Sequence, residues 1–120
     1  MTQLTIPSSD SLKITVDRSG QDAIVRPSGQ INVYSSPDLH DSLRAILSTE
    51  PPPRTVTVDL AGVLYIETSG IATLIEALRI ARHRHIGFCL QGLGGSVLPL
   101  LEVTGVLPLF DRSGRGEKVS

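Results

Sequence analysis

An α/β domain, a mixed sheet of four to five strands with helices packed on it, is what the residue pattern of this chain predicts. Three observations carry that prediction. Residues Thr55 to Arg82 read as a buried strand, a tight polar turn at Glu67-Thr68-Ser69-Gly70 and then an amphipathic helix. From residue 36 onward, helix and strand signals alternate, which implies crossover connections and largely parallel pairing. The length of 120 residues, with 40% hydrophobic and 3% aromatic content, suits one domain whose core is Leu, Ile, Val and Ala.

The elements follow in order. Residues 1–11 are polar and read as a loosely held segment. Leu12 to Asp17 alternates apolar with polar, the pattern of a half-buried strand. Ser19-Gly20 marks a hairpin turn, and Ala23 to Arg26 forms the returning strand. Pro27 has no N–H for a sheet ladder, so a break, bulge or edge is expected there. Ser36-Pro37-Asp38 starts a helix, with Ser36 as the expected cap, and Leu39, Leu43, Ile46 and Leu47 share its buried face. Pro51-Pro52-Pro53 ends anything helical by Glu50.

Val56, Val58 and Leu60 alternate with Thr55, Thr57 and Asp59, and the apolar Val63 to Ile66 leads into the polar turn. Ile71, Leu74, Ile75 and Leu78 then follow helical spacing, with Arg79, Arg82, His83 and Arg84 near the end, where cations complement the helix dipole. Phe88 to Gln91 is a short buried strand, Gly92 to Gly95 a loop, and Val97 to Val103 a last short helix closing near Gly105. Leu109-Phe110 is expected as a final short strand. Residues 112–120 read as a polar tail.

Composition narrows the function classes. Few aromatics and a formal net charge of -1 argue against a nucleic-acid reader and against electrostatic attraction to anionic lipid. Cys89 is the single cysteine, so an intrachain disulfide and a Cys-based zinc cluster are excluded; it reads as a structural thiol. The N-terminus lacks the pattern of a signal peptide and no apolar run reaches the ~20 residues that cross a bilayer, so the cytoplasm is the expected compartment. Asp59 has no nucleophile, metal set or phosphate cradle beside it to make it a general base. His83 and His85 are spaced two apart and do not share a helix face. Gly92 to Ser96 lacks the Lys-Ser/Thr ending of a phosphate loop. Tyr34 and Tyr65 read as packing residues with hydrogen-bonded hydroxyls. Neither a cofactor nor a metal is expected, and no enzyme activity.

The same residues resemble the STAS domain family of anti-sigma factor antagonists. Ser28-Gly29-Gln30-Ile31-Asn32 resembles that family's Gly-Glu-Leu-Asp segment, and Ser36 to Leu47 its first helix. Val56 to Val63 resembles its central strand, Ile66 to Ile71 its Asp-Ser-Ser-Gly turn, and Leu101 to Val106 a late Leu-x-x-Ser-Gly-Leu element. The resemblance spans residues 12–111 and implies a STAS-like sheet. It implies a binding protein that engages an anti-sigma factor with serine-kinase activity and is switched off by phosphorylation at Ser69, or less favourably Thr68. A phosphatase would reset it, and a second copy of the chain is a further candidate partner. The implied contact surface is Asn32, Val33, Tyr34, Ser35, Glu67, Thr68, Ser69, Gly70, Ile71 and Thr73. Two usual acids are changed: Asn32 and Glu67 stand where the family carries Asp. The usual C-terminal helix looks shortened or absent. Read from residues alone, Ser69 is a helix cap; the resemblance implies a phosphoacceptor. Some single STAS domains instead dock on membrane transporter complexes, and that reading stays open as the alternative.

Overall fold

The computed structural model describes residues 12–112. The expected loose segment 1–11 and the tail from residue 113 lie outside the described residues. Strands β1 (Leu12–Ser19) and β2 (Asp22–Ile31) form an antiparallel hairpin, followed by helix α1 (Ser36–Leu47), strands β3 (Thr55–Asp59) and β4 (Val63–Ile66), helix α2 (Thr68–His83), strand β5 (Gly87–Gln91), helix α3 (Val97–Val103), a 3-10 turn (Leu107–Leu109) and strand β6 (Asp111–Arg112). The sheet runs β1-β2-β3-β5-β6, with β4 off that path and paired to β2. All pairings beyond the hairpin are parallel. The mixed sheet with packed helices is the architecture the residue pattern predicts.

Alternate strand positions make the core. Ala23 and Val25, Val56 and Val58, and Phe88 and Leu90 are buried, as are Leu39, Leu43 and Leu47 of α1 and Leu74, Ala77 and Ala81 of α2. Thr57, Cys89 and Gln91 occupy the other parity and are half-exposed. Period-two strands thus meet period-3.6 helices across one apolar layer.

Strand β2 is shared between two partners. Its first half pairs with β3 (Asp22↔Thr55 to Val25↔Val58), and its last residues pair with β4 (Gly29↔Val63 to Ile31↔Ile66). Pro27 falls in the interval between these two ladders, so β2 runs through Pro27 without a break; the irregularity comes later, as a register shift between Gly29 and Gln30. Val63–Ile66 is a strand in its own right rather than a lead-in to the turn. Leu109-Phe110 is corrected as well: the 3-10 turn ends at Leu109 and the last strand is Asp111–Arg112. Pro108 lies within that turn and has no N–H to give to a ladder there.

The step from β3 to β4 positions the site. The C-terminal ends of β2 and β4 lie side by side, and the Glu67 N–H donates to the Ile31 carbonyl at 2.8 Å. The segments that open α1 and α2 therefore emerge next to each other.

Candidate functional site

The segment Asn32–Ser35 is locked by short-range hydrogen bonds. The Asn32 Oδ1 accepts from the N–H of Tyr34 at 2.9 Å and of Ser35 at 3.0 Å. The Ser35 Oγ accepts from the Asn32 N–H at 2.9 Å and donates to the Gln30 carbonyl at 2.8 Å. This is the local side-chain-to-backbone bonding that Asn and Ser favour at turns. It replaces the expected cap: Ser35 sits at the N-cap position, Ser36 is already helical, and neither makes a side-chain cap bond to α1. Asn32 supplies an acceptor oxygen where a carboxylate would do the same with a charge. The bonds leave Val33 and Tyr34 projecting, 59% and 74% exposed.

The segment Glu67–Gly70 is built differently. Glu67 is the N-cap residue of α2, with extended backbone and no side-chain cap bond. Its carbonyl accepts from Gly70 and Ile71. Thr68 and Ser69 therefore lie in the first helical turn rather than in a turn before it. Gly70 is required by close packing: a Cβ there would sit 2.5 Å from Ile31 Cγ2 and 2.7 Å from Ile66 Cγ1. The helix start consequently rests directly on the ends of β2 and β4. Thr68 is exposed and Ser69 half-buried. The Ser69 Oγ is itself sealed from solvent and has no hydrogen-bond partner among the described residues. It caps nothing, so the cap reading of Ser69 does not describe this structure.

The expected contact residues divide by exposure. Val33, Tyr34 and Thr68 are exposed, and Asn32, Glu67 and Ser69 are half-buried. Ser35, Gly70, Ile71 and Thr73 are buried beneath that surface. Thr73, for example, turns its hydroxyl back onto the Ser69 carbonyl at 3.0 Å.

Sequence reasoning missed the other flank. Tyr65, Ile66, Glu67, Thr68, Ser96 and Leu100 line an open cleft of about 420 Å³ beside the start of α2. Leu64 and Tyr65 on β4 are 74% and 48% exposed. The Ser96 hydroxyl donates to the Leu64 carbonyl at 2.9 Å and ties the entry of α3 to that strand. An available signal was the apolar run Val63–Ile66, in which only the two end residues are buried.

Asp59 is structural. Its Oδ1 accepts from the Ala61 N–H at 3.0 Å, and its Oδ2 lies 3.5 Å from the Arg26 Nε. Gly92, at φ +70°, approaches that carboxylate so closely that no side chain fits. Among the described residues, no group of three or more His, Cys, Asp or Glu is placed to hold a metal ion, and no helix is long and apolar enough to cross a membrane.

Known proteins share this fold. The family model described as "Mlab, STAS domain" matches residues 14–109. The anti-sigma-B factor antagonist of Bacillus subtilis (strain 168) is 22% identical over 107 residues, 89% of this chain and 95% of that one. Among solved structures, an anti-sigma factor antagonist from Mycobacterium paratuberculosis superposes with a TM-score of 0.72 at 19% identity, covering 94% of this chain and 93% of the other. A sulfate transporter family protein from Wolinella succinogenes gives 0.65 at 18% identity, covering 79% and 80%.

Proposed function

This chain belongs to the STAS domain family, and we propose that it acts within it as an anti-sigma factor antagonist, a binding protein rather than an enzyme. The observation that carries the proposal is the uncapped start of α2. A hydroxyl without a hydrogen-bond partner among the described residues lies there, while exposed Val33 and Tyr34 precede α1 and exposed Leu64 and Tyr65 lie on β4, the strand that leads into α2. Apolar and tyrosine side chains around a polar centre suit protein docking. The similarity to antagonists in sequence and fold supports an anti-sigma factor as the partner's class; in this reading that partner carries serine-kinase activity and is met in the cytoplasm.

In this reading the unmodified chain holds the anti-sigma factor and so frees a sigma factor. The partner then transfers the γ-phosphoryl group of ATP to the Ser69 Oγ. An O–P bond forms, the bond to ADP breaks, and the hydroxyl proton leaves to a base of the kinase. The hydroxyl faces inward at rest, so a χ1 rotation must bring it out first. Phosphate adds about -1.5 to -2 charge. The free N–H groups and dipole at the α2 start tolerate that charge, so the fold survives. A docked apolar surface does not tolerate it, and Glu67 adds to the repulsion. A phosphatase restores binding.

The second reading, docking on a membrane transporter complex without a phospho-switch, is favoured by the sealed Ser69 hydroxyl and by the likeness to a transporter-family domain. One experiment separates the two. Wild type and Ser69→Asp serve as paired baits in host lysate. The antagonist reading expects an ATP-binding kinase held by wild type and lost by Ser69→Asp. Transporter subunits held equally by both baits would overturn it.

A further inference from the structure

A second surface lies at the opposite end of α2, about 15 Å along the helix axis from Ser69 to Arg79 at 1.5 Å per residue. The C-terminal halves of α1 and α2 enclose an open groove of about 480 Å³, lined by Arg44 and Ser48 on one bank and Arg79, Ile80, His83 and Arg84 on the other. We propose that this groove docks an acidic amphipathic segment of a protein partner, independently of the state of Ser69.

Three features carry the proposal. Arg44 and Arg79 are exposed, face each other across the groove from separate helices, and form no ion pair among the described residues. Arg84 gives one amino group to the Glu50 carboxylate at 2.8 Å and adds a third guanidinium to the lining. Half-buried Ile80 offers an apolar strip between the cations. Helix C-termini accept cations as complements to the dipole, and that accounts for Arg82 and His83 in the last turn of α2. It does not account for Arg79, which lies a turn before them, exposed and with no ion pair among the described residues.

The groove selects its occupant. Both helices end here, so the backbone presents carbonyls and negative dipole character, and no N–H nest exists to cradle a phosphate. Glu76 also lines the groove and disfavours a dianion. Single carboxylates spaced along a segment avoid both problems: they meet Arg44 and Arg79 one at a time, while apolar side chains cover Ile80. Such a charge pattern fixes register and speeds encounter more than it adds affinity.

The test uses the full chain, isotope-labelled for amide NMR, with three probes: a synthetic amphipathic Glu/Leu peptide, the same peptide with Gln for Glu, and inorganic phosphate. The Glu peptide is expected to shift the amides of Arg44, Ser48, Arg79 and Ile80, leave Thr68 to Gly70 unmoved, and weaken as salt screens the charges. Arg44→Glu with Arg79→Glu should weaken it about tenfold or more, as reversing two rim charges would. Ser69→Asp should bind the peptide like wild type, which separates this proposal from the switch reading. Equal shifts from the Gln peptide, equal shifts from phosphate, or no shifts at these residues would each overturn it; the wild-type titration decides even if the double variant folds poorly.

Discussion

Two helices of this molecule start side by side at the ends of adjacent strands, and they start in opposite ways. Before α1, the Asn32 and Ser35 side chains bond to surrounding backbone and to each other, so the segment is a closed network. At the start of α2 the Glu67 side chain does not cap the helix, and the Ser69 hydroxyl, sealed from solvent, has no hydrogen-bond partner among the described residues. Satisfied polar groups rigidify; unsatisfied ones store potential for a new partner. The first segment therefore behaves as scaffold, displaying Val33 and Tyr34 at a fixed angle. The second is the place where added negative charge finds free donors.

The largest effect should come from breaking the scaffold. Ser35→Ala leaves the Asn32 N–H and the Gln30 carbonyl without their partner at a fully buried position. A loss of about 2–3 kcal/mol is expected from stranding such groups. Urea unfolding measures it; a loss under about 0.5 kcal/mol, the range of an ordinary surface substitution, would mean the network is ornamental.

Gly70→Ala comes next. The added methyl drives into Ile31, which is fully buried, and into Ile66. Overpacking of this kind costs about 1–3 kcal/mol, and the better helix propensity of Ala returns about 1 kcal/mol of it. A net loss of up to about 2 kcal/mol is expected, together with altered amide shifts at Thr68 and Ser69 as the helix start lifts. Unchanged stability with unchanged amide shifts would show that α2 does not rest on the strand ends as tightly as the geometry requires.

Much of this comparison was legible beforehand. The alternation in Thr55–Asp59 and the spacing of Ile71, Leu74 and Leu78 located β3 and α2, because period and burial go together in both. Glu67–Gly70 stood out as the place where a helix opens. Three things were not legible. The expected cap is Ser36, and only the path of β2 into Asn32 puts Ser35 at that position instead. The burial of the Ser69 hydroxyl is set by tertiary packing and has no mark in the residue order. Arg79 and Arg84 read as cations ending a helix; Arg44 joins them only once α1 packs against α2.

Asn32→Asp tests whether the changed acid matters to the fold. The Oδ1 acceptor bonds to Tyr34 and Ser35 survive the change, so stability should stay within about 0.5 kcal/mol of wild type. A larger loss in urea would show that the neutral amide is required.

The smallest effect carries the comparison furthest. Ser69→Ala makes the same chemical deletion as Ser35→Ala, yet it removes a hydroxyl that has no hydrogen-bond partner among the described residues. Removing a buried, unpartnered polar group strands no donor or acceptor, so stability should be unchanged or rise by up to about 1 kcal/mol. The two alanine variants, unfolded side by side in urea, should then move in opposite directions or one should not move at all. A loss of more than about 1 kcal/mol from Ser69→Ala would mean the hydroxyl has a partner after all, at the cost expected for deleting a satisfied hydrogen bond, and the two helix starts would no longer differ in kind. If the difference holds, Ser69 is a residue the fold does not need, and its hydroxyl is free to serve a partner.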